Sequence, residues 1–161
     1  MARLLVVHHS PTRSVARLTE QVLAGAGDDA IDGVEVVARP ALEATADDVL
    51  AADGYLLGTP ANFGYMSGAL KHFFDSTFLQ IGGALAADGS ASASAGRGKP
   101  FGLYVHGRYD TAGAVRSVLS IVQALNWRQV APALEVLGTV GGEQEEQAYE
   151  LGATLAALLS D

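Results

Sequence analysis

A doubly wound α/β fold is what this sequence predicts: a five-stranded parallel sheet in the order 2-1-3-4-5, covered by helices on both faces as a three-layer sandwich. Three observations point to it. Short apolar runs alternate with helical periodicities five times along 161 residues, and right-handed crossovers turn such an alternation into a parallel sheet. The chain is 49% hydrophobic with a mean hydropathy of +0.23, which suits strands buried on both faces. The length fits one domain, 1–161, able to bury a core without staples. Five units in that length suit this order better than a six-stranded dinucleotide fold.

The strands are read from runs rich in β-branched or aromatic residues between turn residues: Leu4–Val7, Val34–Val37, Tyr55–Leu57, Phe101–Val105 and Leu134–Val140. Helices follow from apolar spacing. Val15, Leu18 and Val22 recur at i, i+3, i+7; Met66, Ala69, Leu70, Phe73 and Phe74 mark a helix after the third strand. Val115, Val118, Leu119 and Val122 form another stripe, and Ala148, Leu151, Leu155 and Leu158 the last. A shorter helix starts at Thr45, with Asp48 completing a capping-box-like start. Glu143, Glu145 and Glu146 crowd the first turn of the last helix, where the helix dipole favours negative charge. Gly25-x-Gly27 follows a helix and reads as its stop. Gly82 to Gly98, with GSASASAG at its centre, reads as a flexible loop.

Composition removes several function classes. A net charge of −8 and a pI near 4.8 disfavour nucleic acid and anionic lipid as partners. Cysteine is absent, which excludes disulfides, thiolate metal sites and thiol nucleophiles and suits a reducing, cytoplasmic setting. No apolar stretch approaches the roughly 20 residues of a membrane span, so no membrane insertion is expected. His8 and His9 are adjacent, and on a strand they point to opposite faces, so no metal site is expected. Gly98-Lys99 lacks the remainder of a P-loop, and no G-x-S-x-G elbow occurs.

In an open α/β sheet ligands bind beyond the strand C-termini at the topological switch point, which directs attention to three loops. After the first strand comes His9-Ser10-Pro11-Thr12-Arg13-Ser14, running into a helix. Its hydroxyls, guanidinium and helix-start N–H groups suit a phosphate; ordinary helix capping accounts for them equally well. After the third strand comes Gly58-Thr59-Pro60-Ala61-Asn62-Phe63-Gly64-Tyr65-Met66-Ser67-Gly68-Ala69-Leu70-Lys71. Such an extended, small-residue loop can lay backbone groups along the polar edge of a flat ring, while Phe63 covers a face or serves as a core aromatic. After the fourth strand come His106, Gly107, Arg108, Tyr109, Asp110 and Thr111. Asp110 and Thr111 read as helix caps, His106 as a structural or a ligand-facing histidine, and Arg108 as a ligand-facing or a solvent-paired cation.

The run G-T-P-x-x-F-G-x-M-x-G-x-L-K resembles the loop and following helix of FMN-dependent quinone reductases of the tryptophan-repressor-binding-protein type, relatives of flavodoxins and NAD(P)H-dependent FMN reductases. The resemblance implies a flavodoxin-like fold and bound FMN. The phosphate would lie on Ser10, Thr12, Arg13 and Ser14, with Arg13 where true flavodoxins have Gly. The ring would lie on Pro60, Ala61, Asn62, Phe63 and Gly64 and on a second ring loop of His106, Gly107, Arg108 and Tyr109, with Tyr109 stacking and Arg108 or His106 at the pyrimidine edge. It further implies NAD(P)H as co-substrate and a quinone or similar small-molecule electron acceptor. Non-catalytic alternatives are a flavodoxin-type electron carrier and a flavin-binding module. The reductases it resembles are longer and tetrameric; a homodimer is an open expectation for this chain.

Overall fold

The computed structural model describes residues 1–85, 91–93 and 96–160, with 83–85 and 91–93 as backbone only. Strands β1 (Ala2–His8), β2 (Val34–Pro40) and β3 (Gly54–Asn62) run parallel, with β1 between the other two. A hairpin returns from β3 into the two-residue β4 (Tyr65–Met66). The two short strands β5 (Gly83–Leu85) and β6 (Ala91–Ala93) form their own antiparallel pair. Strand β7 (Pro100–Gly107) pairs in parallel with β3 and, on its other side, with β8 (Arg128–Gln129) and β9 (Leu134–Leu137). β8 pairs near the start of β7 and β9 near its end, so together they are the fifth strand in two pieces. The winding is 2-1-3-4-5, as expected.

Successive strand residues face opposite ways, which is why unbroken apolar runs mark these strands. Leu4 and Val6 of β1 join Leu56 and Tyr104 against α1 (Arg13–Ala26) and α5 (Gly142–Leu159). Leu5 and Val7 join Leu57, Leu103 and Val105 against α2 (Ala46–Ala51), α3 (Gly68–Thr77) and α4 (Ala112–Ala124). Under that second layer Tyr55 stacks on Trp127 with ring centroids 3.9 Å apart. Among the described residues no helix is long and apolar enough to cross a membrane.

The helix starts obey local chemistry. Thr45 and Asp48 form the reciprocal capping box of α2, and Glu143 and Glu145 occupy the first turn of α5. Three readings are corrected. Met66 is in β4, because Tyr65–Met66 pair back onto Ala61–Asn62; α3 starts only at Gly68, capped by Ser67. The fifth strand ends at Leu137, where Gly138 turns with φ 77°. Gly27 does cap α1, but Gly25 lies inside the helix. The stretch Gly82–Gly98, read as a flexible loop, carries β5 and β6; residues 86–90 and 94–95, on which the rest of that reading falls, lie outside the described residues.

Candidate functional site at the C-terminal sheet edge

The register sets the site. His8 of β1 lies beside Gly58 of β3, Pro60 of β3 beside His106 of β7, and Gly107 of β7 beside Leu137 of β9. The loops leaving β1, β3, β7 and β9 therefore open on one edge.

Leaving β1, the chain anchors by the His9 N–H to Gly58 O at 3.0 Å. Thr12 caps α1: its Oγ1 accepts from the Val15 N–H at 3.3 Å, and its carbonyl takes the first ladder bond, from Ala16. The N–H groups of Arg13 and Ser14 stand ahead of that ladder, at the positive end of the helix dipole. Capping leaves this loop able to take an anion: Thr12 Oγ1 accepts one donor and keeps its own proton free to donate. Ser10 is drawn inward, with its Oγ 2.8 Å from His8 Nδ1 and 2.9 Å from Thr19 Oγ1. Burial, and then the neighbouring His9, lower the His8 pKa below the usual imidazole value, which favours its neutral form.

Pro60, Ala61 and Asn62, read as loop residues, lie on the end of β3. The turn itself is Phe63 and Gly64, with φ 52° and 75°. Phe63 is fully exposed, so it is no core aromatic. A phenylalanine in the left-handed region stores backbone strain, and this one recovers none of it by burial. The turn is held from behind: a Cβ on Gly113 of α4 would lie 2.0 Å from Gly64 O, and Met66 N–H donates to Ser117 Oγ at 3.2 Å. At its base Ser67 N–H donates to the buried Thr59 Oγ1 at 3.0 Å.

His106 and Gly107, read as loop residues, close β7. His106 Nε2 donates to Gly138 O at 2.6 Å, since a carbonyl can only accept, and the ring thereby ties the end of β7 to the turn after β9. Tyr109 is 86% exposed, with the Arg108 guanidinium 6.0 Å from its ring centroid. Asp110, read as a cap, precedes the N-cap Thr111 and accepts the Ala112 N–H at 2.9 Å in a local turn two residues on. Thr111 makes no cap bond and donates instead to Glu135 at 2.8 Å.

A cleft of about 460 Å³ gathers Arg13 and Ser14 with His106, Arg108 and Tyr109. Pro60 to Gly64 do not line it. Arg17, Gly138, Thr139 and Val140 do, and sequence reading missed them. Arg17 was findable, being one helical turn beyond Arg13; its guanidinium donates to Val140 O at 2.9 Å and pairs with Glu145. Thr139 follows the last strand, where the same edge rule applies.

These features fit a mononucleotide of flavin. A dianion is suited to the N–H groups of Arg13 and Ser14 with guanidinium groups nearby. A flat, largely apolar ring is suited to two exposed aromatics, each three residues beyond the paired Pro60 and His106.

Comparison with known proteins agrees. A model of the family described as NADPH-dependent FMN reductase matches residues 8–139. A flavodoxin of Aquifex aeolicus is 36% identical over 83 residues, covering 52% of this chain and 44% of that protein. An NAD(P)H dehydrogenase (quinone) of Acidithiobacillus ferrooxidans is 31% identical over 97 residues, covering 48% of each. The chain thus spans about half the length of the curated relatives it matches. Among solved structures, oxidised Flavodoxin 1 from Bacillus cereus aligns with a TM-score of 0.77 over 99% of this chain and 100% of that one, at 18% identity. That likeness carries the fold, which is flavodoxin-like. The chain belongs to the NADPH-dependent FMN reductase family, a membership that brings FMN as cofactor.

Proposed function

We propose that this protein reduces a quinone or similar small-molecule two-electron acceptor with NAD(P)H, through FMN seated on the edge just described. The observation that carries the reading is Phe63, which is strained and fully exposed at once; both costs make sense if a ligand ring covers it. What bound FMN supplies is acceptance of a hydride from NAD(P)H and delivery of the electron pair to the acceptor.

The chain's own residues bind, orient and tune. The N–H groups of Arg13 and Ser14, the Thr12 hydroxyl and the Arg13 side chain hold the phosphate, with Ser10 behind them. Phe63 and Tyr109 flank the ring and keep water off its faces, while Pro60, Ala61, Asn62 and Gly64 offer backbone groups to its edge. Gly107 keeps the loop tight, since a Cβ there would lie 2.7 Å from Asp110 O. His106 is spent on Gly138 O and acts by holding the loops together. Arg108 supplies the positive charge. No side chain is required as acid, base or nucleophile.

The flavodoxin relative supports a second reading, an electron carrier without its own substrate. Two measurements on the purified protein decide. Flavin released by denaturation should chromatograph as FMN; a dominant FAD peak would sink the assignment. Anaerobic NADPH should bleach the visible flavin absorbance within a turnover-like time. Bleaching by dithionite but not by either nicotinamide nucleotide would make the protein a carrier.

Arg108 gives a separate prediction. A cation near the ring stabilises the negative charge of reduced flavin, so Arg108→Glu should make the flavin harder to reduce. For an exposed group the shift is on the order of 30–60 mV in a two-electron midpoint, measurable by redox titration against a reference dye. An unchanged potential would place Arg108 in solvent, away from the ring.

A further inference from the structure

A row of three residues crosses the sheet beneath the phosphate loop: His8, Gly58 and Tyr104, paired in register on β1, β3 and β7. The middle residue has no side chain, and Tyr104 uses that space. A Cβ on Gly58 would lie 2.1 Å from the Tyr104 ring and 2.3 Å from its hydroxyl. The phenol therefore reaches across β3 towards α1, where its hydroxyl meets Thr19 Oγ1 at 2.7 Å. Thr19 Oγ1 is 2.9 Å from Ser10 Oγ, and Ser10 Oγ is 2.8 Å from His8 Nδ1. Four polar groups thus connect the core to the loop that enters α1.

The proton count gives this chain a direction. Tyr104 is completely buried, and burial raises its pKa well above the usual phenol range, so it keeps its proton. A buried hydroxyl proton without an acceptor is costly, and the acceptor within reach is Thr19. Thr19 is also buried and, having accepted from Tyr104, gives its own proton to Ser10. Ser10 then accepts from within and has its own proton to place outward. Its neighbours there are His8 Nδ1 and whatever anion lies at the start of α1.

We infer that Tyr104 and Thr19 are positioning residues for a flavin phosphate: they polarise the buried hydroxyl chain outward, so that Ser10 presents its proton to the phosphate oxygen. This rests on the FMN reading above. Without the anion, Ser10 donates its hydrogen bond to His8 Nδ1. With it, the proton turns to the oxyanion, a stronger acceptor, and His8 donates through Nδ1 in its other tautomer. Hydrogen bonds in such a chain strengthen one another, so a change at Tyr104, remote from the ligand, is felt at Ser10.

The test compares two ligands that differ only in the phosphate. Flavin-free protein is titrated with FMN and with riboflavin, and binding is followed by quenching of flavin fluorescence. Tyr104→Phe and Thr19→Val keep side-chain shape and remove a hydroxyl. Each should weaken FMN by roughly three- to tenfold while riboflavin changes by less than about twofold. The double variant should be little worse than either single one, because both break the same chain. Thr19→Ser should restore FMN affinity. Should Tyr104→Phe fail to fold, the Val and Ser variants of Thr19 carry the same comparison. Equal losses for FMN and riboflavin, or no loss of FMN affinity, would overturn the inference while leaving the flavin site intact. A wild-type protein that does not prefer FMN to riboflavin would overturn the phosphate site itself, and this inference with it.

Discussion

Phe63→Ala combined with Tyr109→Ala is expected to weaken FMN binding by about two orders of magnitude. Stacking of a flat heterocycle on an aromatic side chain contributes roughly 1–3 kcal/mol per ring, as measured for nucleic-acid bases. Two such contacts, at about 1.5 kcal/mol each, correspond to roughly a hundredfold. Riboflavin should lose as much as FMN, since the ring and not the phosphate is affected. That pattern is the opposite of the one expected at Tyr104 and Thr19, so the two ends of the ligand can be told apart. The fold should not suffer, because Phe63 is fully exposed and Tyr109 is 86% exposed. Phe63→Gly sharpens the point: glycine accepts φ 52° without strain, so this variant should lose flavin yet unfold at no lower temperature. Flavin affinity unchanged in the double variant would remove the ring from this edge altogether.

Gly152→Ala is expected to destabilise the protein by about 2 kcal/mol, although helix propensity alone favours alanine by about 1 kcal/mol. The reason is the contact between α1 and α5. A Cβ on Gly152 would lie 2.0 Å from Val22 O and 2.9 Å from Ala26 N, and one on Gly25 would lie 1.9 Å from Tyr149 O. Those neighbours are backbone and cannot step aside as a side chain would. The helices must separate, which loosens the buried contacts of Val22, Leu151 and Leu155. Overpacking of this kind costs roughly 1–3 kcal/mol. The double variant Gly25→Ala, Gly152→Ala should cost less than the sum of the two, because a single separation relieves both clashes. Urea unfolding followed by far-UV circular dichroism measures this; a Gly152→Ala midpoint equal to or above wild type would show that the helices do not approach so closely.

Features whose causes lie within a few residues were legible in the sequence. The capping box of α2 needs only Thr45 and Asp48. The parallel strands announce themselves because both faces are buried, so that Leu4, Leu5, Val6 and Val7 are all apolar. The helix stripe of α1 shows as Val15, Leu18 and Val22. The position of the candidate site was legible as well, since the edge rule needs only strand order. The motif after β3 pointed to the family that residues 8–139 match.

What the sequence could not decide depends on partners far along the chain. Met66, Ala69 and Leu70 keep helical spacing, yet Met66 is a strand residue because Ala61 pairs with it. Gly25 looks like a helix stop until α5 is placed against it. Ser10 reads as a plain phosphate donor until Thr19 and Tyr104, 9 and 94 residues away, engage it from the core. Phe63 reads as covering a ligand ring, with a core aromatic as the alternative, until the β3–β4 turn sets its φ and turns it to solvent. By itself the sequence determined the order of elements, their buried faces and the edge where a ligand would sit, because propensity, periodicity and capping act over short range. The tertiary structure alone decided which hydroxyls are free, which aromatics are bare and which glycines are obligatory. Each of those depends on groups brought together only when the sheet has paired and the helices have closed over it.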